Sequence, residues 1–138
     1  MRRLVLLDNE AVQALMATDH PKHRRALAHV AVVGARKKKA AIIDLMVPTA
    51  VRVEAGWDRT APSAALINLL RIRDAALDTP RTDAAAALVS DHAVSIADAH
   101  LGAVIASRPE SESVTILTSD PKDMRTVSGL RTITIVRI

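Results

Sequence analysis

Short apolar runs that alternate with helix-length segments constrain the fold of this chain more than any other feature. Four such runs lie at residues 4–7, 42–47, 114–117 and 133–136, and each has the length and composition of a buried strand. Residues 71–77 form a further stretch that fits either a short strand or a loop. Because strands that alternate with helices are joined by right-handed crossovers, we predict an α/β fold. Its central sheet is expected to be mostly parallel, with four to five strands and with helices on both faces.

Helix-start signals occupy the segments between these runs. The first helix is predicted at residues 11–16, and Pro21 suits the first turn of a second helix that runs towards Arg36. Thr49 is expected to cap a third helix, which carries Glu54. Further helices are predicted to open at Pro62-Ser63, at Thr79-Pro80 and at Ser95, the last with Ile96, Ala99, Ala103 and Val104 on its apolar side. No repeat or linker interrupts this pattern, so residues 1–138 are expected to form a single domain.

The composition excludes several classes of site and of cellular location. The sequence contains no cysteine, so disulfides, thiolate metal sites and cysteine nucleophiles are excluded. Asp8 interrupts the first apolar run, whereas a signal peptide needs a longer apolar segment. No stretch approaches the length that spans a membrane. We therefore expect a cytoplasmic protein with no membrane partner.

Positive charge is concentrated in the first half of the chain, and the formal net charge is +4. Two basic clusters consist of Lys22, Arg24 and Arg25, and of Arg36, Lys37, Lys38 and Lys39. Such clusters suit a solvated helix face as well as the phosphates of a nucleic acid. Because Trp57 is the only residue among Trp, Tyr and Phe, a base-stacking platform is hard to build. Any nucleic acid must therefore be bound mainly through its phosphates.

Acidic residues fall at the predicted ends of strands and starts of helices. Asp8 directly follows the first apolar run, and Asp120 follows the run at 114–117 after two small polar residues. Ligands of open parallel sheets bind outside the carboxyl ends of the strands, so these two carboxylates are expected to converge on one crevice. Glu54 and Asp98 lie near the starts of helices, and such starts commonly face the same edge.

Each of these acids also has a purely structural interpretation. Asp8 and Asp120 suit the capping position of a following helix. Asp98 lies three residues after Ser95, which matches the capping-box pattern, and Glu54 suits an exposed helix surface. The residue pattern alone leaves both interpretations open.

Four segments carry a resemblance to a known family. They are LVLLD at residues 4–8, VPTAVRVE at 47–54, ADAHLGA at 97–103 and TSDPKDM at 118–124. In this order they resemble the four motifs of PIN domains, and the likeness extends over nearly the whole chain. Within that family the chain is most similar to VapC-type toxins of bacterial toxin–antitoxin pairs.

The resemblance implies a metal-dependent endoribonuclease with a toxin role. Asp8, Glu54, Asp98 and Asp120 would be the catalytic acids and would bind Mg²⁺ or Mn²⁺, which prefer oxygen ligands. Asp123 competes with Asp120 for the fourth position; we favour Asp120, with Asp123 as a supporting residue or alternative ligand. The implied partners are an RNA substrate such as tRNA, a cognate VapB-like antitoxin and a second copy of the chain in a homodimer.

Other side chains receive a structural expectation. Asn9 and Glu10 follow Asp8, where the family more often has a small or hydroxyl residue. His100 is predicted on the surface because it lies two residues beyond Asp98 on a helix. Trp57 is expected in the core or at a dimer contact.

Three further functions fit parts of the pattern. A housekeeping RNA-processing nuclease of the PIN family shares all four motifs. A phosphoryl-transfer enzyme with an aspartate nucleophile would carry an Asp-x-Asp motif at the end of the first strand. Here the third residue of that motif is Glu10, which argues against this function. A non-catalytic module that binds Mg²⁺ and a partner protein typically has a lysine at a late strand end, where this chain has Thr118-Ser119.

Overall fold

A single parallel sheet forms the centre of the fold. The computed structural model describes residues 2–38 and 42–138. Its strands are β1 (Arg3–Leu7), β2 (Ile43–Pro48), β3 (Arg73–Ala75), β4 (Ser113–Thr118) and β5 (Thr134–Arg137). They lie in the order β3-β2-β1-β4-β5, and every pairing is parallel. The predicted α/β class and parallel sheet are confirmed, and the ambiguous stretch at 71–77 supplies the edge strand β3.

Seven α-helices connect these strands within the described residues. They are α1 (Asn9–Met16), α2 (His23–Lys38), α3 (Thr49–Ala55), α4 (Ala65–Asn68), α5 (Thr79–Asp91), α6 (Ile96–Ala106) and α7 (Pro121–Ser128). A 3₁₀ turn at Pro62–Ala64 precedes α4, so the helix predicted to open at Pro62-Ser63 begins as a 3₁₀ turn and becomes α-helical only at Ala65. Proline at the start of α5 and α7 fits the first helical turn, where its missing N–H has no partner to lose.

Both faces of the sheet are buried. Side chains alternate between the faces of a strand, and in β1 Val5 and Leu7 pack with apolar residues of α1, α2 and α3. Leu4 and Leu6 of the same strand pack on the other face with residues of α6 and α7. This two-sided burial explains why the strand sequences are continuously apolar. The prediction of helices on both faces is therefore confirmed.

The carboxyl ends of the central strands meet at one edge of the sheet. Leu7 at the end of β1 pairs with Leu117 of β4, and the Asp8 N–H donates to the Leu117 carbonyl at 3.3 Å. Strand β2 ends at Pro48, and α3 begins at the next residue. Helices α1, α3 and α7 thus all start at this edge, which we call the acidic edge because Asp8, Glu54, Asp98 and Asp120 lie near it.

The expected capping role of Thr49 is wrong. Pro48, which has no polar side chain, occupies the capping position of α3, and Thr49 is the first helical residue. Pro48 also pairs with Ala75 in the sheet, so strand and helix join without a separate capping residue. The Thr49 hydroxyl instead accepts a hydrogen bond from the Leu77 N–H at 3.3 Å.

Some other predicted boundaries and faces also differ. Helix α2 begins at His23, so Pro21 lies in the turn before it and not in its first turn. Ile42 lies outside β2, and Ile133 lies just before β5. Ile96 is 68% exposed, so it does not belong to the buried side of α6; as the first residue of that helix it lies at the rim of the acidic edge. Lys39, the last residue of the second basic cluster, lies outside the described residues.

None of the helices described at 2–38 and 42–138 combines the length and apolar character needed to cross a membrane.

Candidate functional site

Asp8 is a buried carboxylate held by two hydrogen bonds. It follows β1 and caps α1, where its Oδ1 accepts from the Ala11 N–H at 2.9 Å. Its Oδ2 accepts from the hydroxyl of Thr118 at 2.5 Å, and the residue is only 5% exposed. The capping interpretation of Asp8 is confirmed, and the same contacts fix the orientation of a carboxylate at the acidic edge.

Burial raises the pKa of Asp8 above its ordinary value. The hydrogen bonds from Thr118 and Ala11 act in the opposite direction, and the negative charges of Glu10 and Asp120 raise the pKa further. The ionised form of Asp8 is therefore destabilised by its surroundings, and a nearby positive charge would stabilise it.

Thr118 connects Asp8 to Asp120. Its buried hydroxyl donates to Asp8 and accepts from the Asp120 N–H at 2.8 Å. Asp120 caps α7, and its Oδ1 accepts from the Asp123 N–H at 3.2 Å. Thr118 received no role from the sequence, because its contact with Asp8 depends on the pairing of β1 with β4. A hydroxyl residue at the end of a strand that neighbours an acidic strand end is the signal that could have found it.

Asp98 lies in the first turn of α6 with its carboxylate uncommitted. The hydroxyl of Ser95 caps this helix and accepts from the Asp98 N–H at 3.1 Å. Among the described residues the Asp98 carboxylate makes no hydrogen bond, so the capping box is formed in one direction only. The side chain is consequently free to bind a ligand.

Asp98 lies within electrostatic range of the other acids. Burial and the charges of Asp123, Asp8, Glu54 and Asp120, in that order of effect, together raise the pKa of this carboxyl to about 6. All the predicted site residues thus influence the pKa of Asp98. Each of these influences raises the pKa of Asp98, so its ionised form favours a nearby positive charge.

Glu54 and Asp123 complete this cluster from two sides. Glu54 is exposed at the second-to-last residue of α3, so its predicted position near the start of that helix is wrong, and α3 packs directly against α6. Asp123 lies in the first turn of α7, where burial and the neighbouring Asp120 raise its pKa while the charge of Lys122 lowers it. Asp123 affects Asp98 more strongly than Asp120 does, so both remain candidates for the fourth position.

The two residues that follow Asp8 make contacts of their own. Asn9 accepts a hydrogen bond from Gln13 one turn further along α1. Glu10 pairs with His20 at 3.1 Å and lies 3.9 Å from the ammonium group of Lys22. The start of α2, with its first basic cluster, is therefore linked to the acidic edge through Glu10.

The predicted surface position of His100 is wrong. Its side chain is fully buried (0% exposed), and its Nδ1 accepts from the Ala50 N–H at 3.2 Å. Burial lowers the pKa of His100, so the imidazole is neutral at pH 7. The ring lies under the start of α3 because α6 packs closely against that helix, which the spacing from Asp98 does not reveal. Trp57 is also buried, as predicted for a core residue, and donates from Nε1 to Asn68.

Two of the surface cavities bear on the location of the predicted site. One of about 480 Å³ adjoins the acidic edge and is lined by Val53, Glu54, Leu77 and Ile96, among others. A larger one of about 910 Å³ lies near the amino end of β4, between α6, α7 and the loop around Arg131. None of the predicted acids lines this second cavity, so the sequence-predicted site does not lie there.

The side chains at the acidic edge are of the chemical type that binds a hard divalent cation. They are carboxylates, and oxygen ligands are those that Mg²⁺ and Mn²⁺ prefer. Within residues 2–38 and 42–138, however, no three acidic or histidine side chains are close enough to hold a metal ion as they stand. Binding therefore requires side-chain movement, for which the exposed Glu54 and Asp120 have room.

The chain matches no protein-family model and has no significant match among curated proteins.

Proposed function

We propose that this protein is a metal-dependent endoribonuclease that uses Mg²⁺ or Mn²⁺ at the acidic edge. One observation carries the proposal: the Thr118 hydroxyl links Asp8 to Asp120 where β1 and β4 end, beside Asp98, whose pKa burial and the other carboxylates raise to about 6. Clustered carboxylates repel one another, and a bound divalent cation offsets that repulsion. The accumulation of negative charge is thus a reason to expect a cation at this place.

In this proposal Asp8, Asp98 and Glu54 hold the cation, with Asp120 or Asp123 as the fourth ligand. Asp8 is oriented by Thr118 and Ala11, and each of its oxygens retains a lone pair for a ligand. When bound, the cation polarises the scissile phosphate and lowers the pKa of a bound water.

Basic residues near the acidic edge suit the phosphates of RNA. Lys22 approaches Glu10 on one side, and Lys122 influences Asp123 on the other. Arg24 and Arg25 are exposed in the first turn of α2. These cations compensate phosphate charges that the carboxylates would otherwise repel, so RNA binding is expected to weaken as the salt concentration rises.

The toxin role and its partners rest on the sequence resemblance. It suggests that the RNA is structured, as tRNA is, and that the chain forms a homodimer neutralised by a VapB-like antitoxin. Induced expression in bacteria is then expected to arrest growth. Harmless expression of a protein that cleaves RNA in vitro would instead favour the housekeeping alternative.

The nuclease proposal is tested by incubating the purified protein with RNA and Mn²⁺ or Mg²⁺. Cleavage should require the metal and should fall by at least about 100-fold in Asp98→Asn, because the uncommitted carboxylate is lost. Asp83→Asn is the matched control, since Asp83 is exposed on α5, away from the predicted site. Equal cleavage by wild type and Asp98→Asn would exclude the assigned site, and metal binding without cleavage would favour a non-catalytic module.

Asp120→Asn and Asp123→Asn separate the two candidates for the fourth position. Whichever of the two residues binds the metal, its substitution should weaken Mn²⁺ binding more than substitution of the other residue does. The affinity is measured by calorimetry. Both substitutions keep a side chain that can cap or support α7, so a large difference between them reports on the metal.

A further inference from the structure

His100 is a fully buried polar side chain that the proposed chemistry does not use. Its Nδ1 accepts from the Ala50 N–H at 3.2 Å, and its Nε2 has no hydrogen-bond partner among the described residues. Because Nδ1 acts as the acceptor, the ring hydrogen lies on Nε2.

Helix α3 has no cap from its own chain segment. The amides of a first helical turn lack partners within the helix, and a polar residue at the capping position usually supplies one. Pro48 occupies that position and offers no acceptor in its side chain. His100 of α6 supplies the acceptor for Ala50, so one helix caps another from a distance of 50 residues in sequence.

This hydrogen bond joins the two helices that carry the least restrained acids. Glu54 lies one turn after Ala50 on the same face of α3, and Asp98 lies two residues before His100 on α6. We propose that His100 is a positioning residue that fixes the distance between Glu54 and Asp98 by capping α3 from α6. Its effect on catalysis rests on the proposed function, whereas the tie between the helices does not.

The alternative is that His100 merely satisfies a buried amide. In that case any acceptor for Ala50 should replace it, including one supplied by α3 itself. A serine in place of Pro48 offers such an acceptor, because the side chain of a capping residue reaches the second or third amide of its helix. The double variant Pro48→Ser/His100→Leu therefore separates a cap from a positioning contact.

The experiment compares His100→Leu, His100→Asn and the double variant by amide exchange of Ala50 and by steady-state RNA cleavage. In His100→Leu we expect Ala50 exchange to speed up at least about tenfold and kcat to fall by about 10- to 100-fold, with KM for RNA unchanged. His100→Asn, whose Oδ1 takes the place of Nδ1, should retain most of both. His92→Leu is the control, since His92 is exposed at the end of α5.

The double variant decides between the two roles. Slow Ala50 exchange together with a low kcat supports positioning, because the cap is restored without the tie to α6. Recovery of kcat in the double variant, or normal kcat in His100→Leu, overturns the proposal.

Two further outcomes are distinguishable. If His100→Leu fails to fold, Ala50→Pro removes the amide donor instead, and Thr79-Pro80 shows that a proline is compatible with this place in a helix of this chain. Unchanged kcat in Ala50→Pro would then overturn the proposal. If the wild type cleaves no RNA, the proposed function fails, while Ala50 exchange in His100→Leu still tests the tie.

Discussion

Negative charge at Asp98 is poorly compensated. Its carboxylate is partly buried, makes no hydrogen bond among the described residues and is influenced by four other acids. In contrast, Asp8 is stabilised by a hydroxyl and an amide. Asp98 is therefore the position at which function and stability should conflict most clearly.

We expect Asp98→Asn to stabilise the metal-free protein at pH 7.5. The pKa of Asp98 is raised from 3.8 to about 6, so folding favours the neutral form. The associated stability is fully present below pH 3.8 and is lost as the pH rises through about 6. After allowance for solvent screening, the gain should be on the order of 1 to 2 kcal/mol, measured by urea unfolding with a chelator present.

The gain from Asp98→Asn should shrink as the pH falls from 7 to 4, because the wild-type carboxyl becomes neutral. Asp83→Asn, on the exposed side of α5, should change the free energy of unfolding by less than about 0.5 kcal/mol at each pH. A loss of stability in Asp98→Asn at pH 7.5 would contradict the charge cluster.

For single residues, the sequence predicted the positions of the acids along the chain but not the contacts that support them. Asp8 and Asp120 were placed correctly because each follows an apolar strand. Thr118 and His100 were missed because their partners lie 110 and 50 residues away in sequence. Such contacts depend on which strands and helices become neighbours, which local patterns do not encode.

The packing of α6 determines where several of these side chains lie. Gly102 brings α6 very close to α7: a Cβ atom there would lie 2.6 Å from the Val127 carbonyl oxygen and 2.8 Å from Leu88 Cδ1. Because the first of these atoms belongs to the backbone, it cannot move aside without shifting α7. That helix carries Asp123 in its first turn.

Gly102→Ala is expected to destabilise the protein by about 1 to 3 kcal/mol through overpacking. Gly34→Ala is the matched control, because no atom lies within 4 Å of a Cβ at that position of α2 and alanine favours helix formation. Urea midpoints of the two variants should therefore move in opposite directions. A stabilising Gly102→Ala would argue against the close approach of α6 and α7.

Elements with strong local signals were predicted well, and those dominated by tertiary contacts were not. The four apolar runs all contain strands, whereas β3 was ambiguous because Arg73 and Asp74 interrupt its apolar character. As an edge strand it has only β2 beside it, so its side chains need not all be apolar. Asp74 accepts hydrogen bonds from Arg52 and Arg59, which secure this edge to the segment around Trp57.

At the scale of the whole molecule, a second charged cluster lies at the amino ends of the strands, opposite the acidic edge. Arg108 donates to both oxygens of Glu112, at 2.8 and 3.0 Å, and to Asp44 at 2.6 Å. Glu112 is almost completely buried, and Asp44 lies on β2. The cluster therefore links the loop before β4 to the neighbouring half of the sheet.

Arg108→Met is expected to destabilise the protein by about 3 kcal/mol, because the Glu112 carboxylate loses its partner while it stays buried. Arg73→Met is the comparison, since Arg73 contacts the same Asp44 at 3.6 Å from a side chain that is 69% exposed. Its loss should cost less than about 1 kcal/mol. Equal effects of the two changes in chemical unfolding would show that Glu112 finds another partner.

The order of the strands could not be deduced from the sequence, although the presence of a parallel sheet could. Alternation of strands and helices predicts parallel pairing, but several orders satisfy it. The observed order places β1 between β2 and β4, so the strands that precede Asp8, Glu54 and Asp120 are neighbours in the sheet.

Strand β2 passes directly into α3 at Pro48, so no loop residue separates the sheet from the helix that carries Glu54. One inserted residue after Pro48 would turn the rest of α3 by about 100° about its axis, which would swing Glu54 away from Asp98. The length of this junction therefore determines the direction in which the Glu54 side chain points.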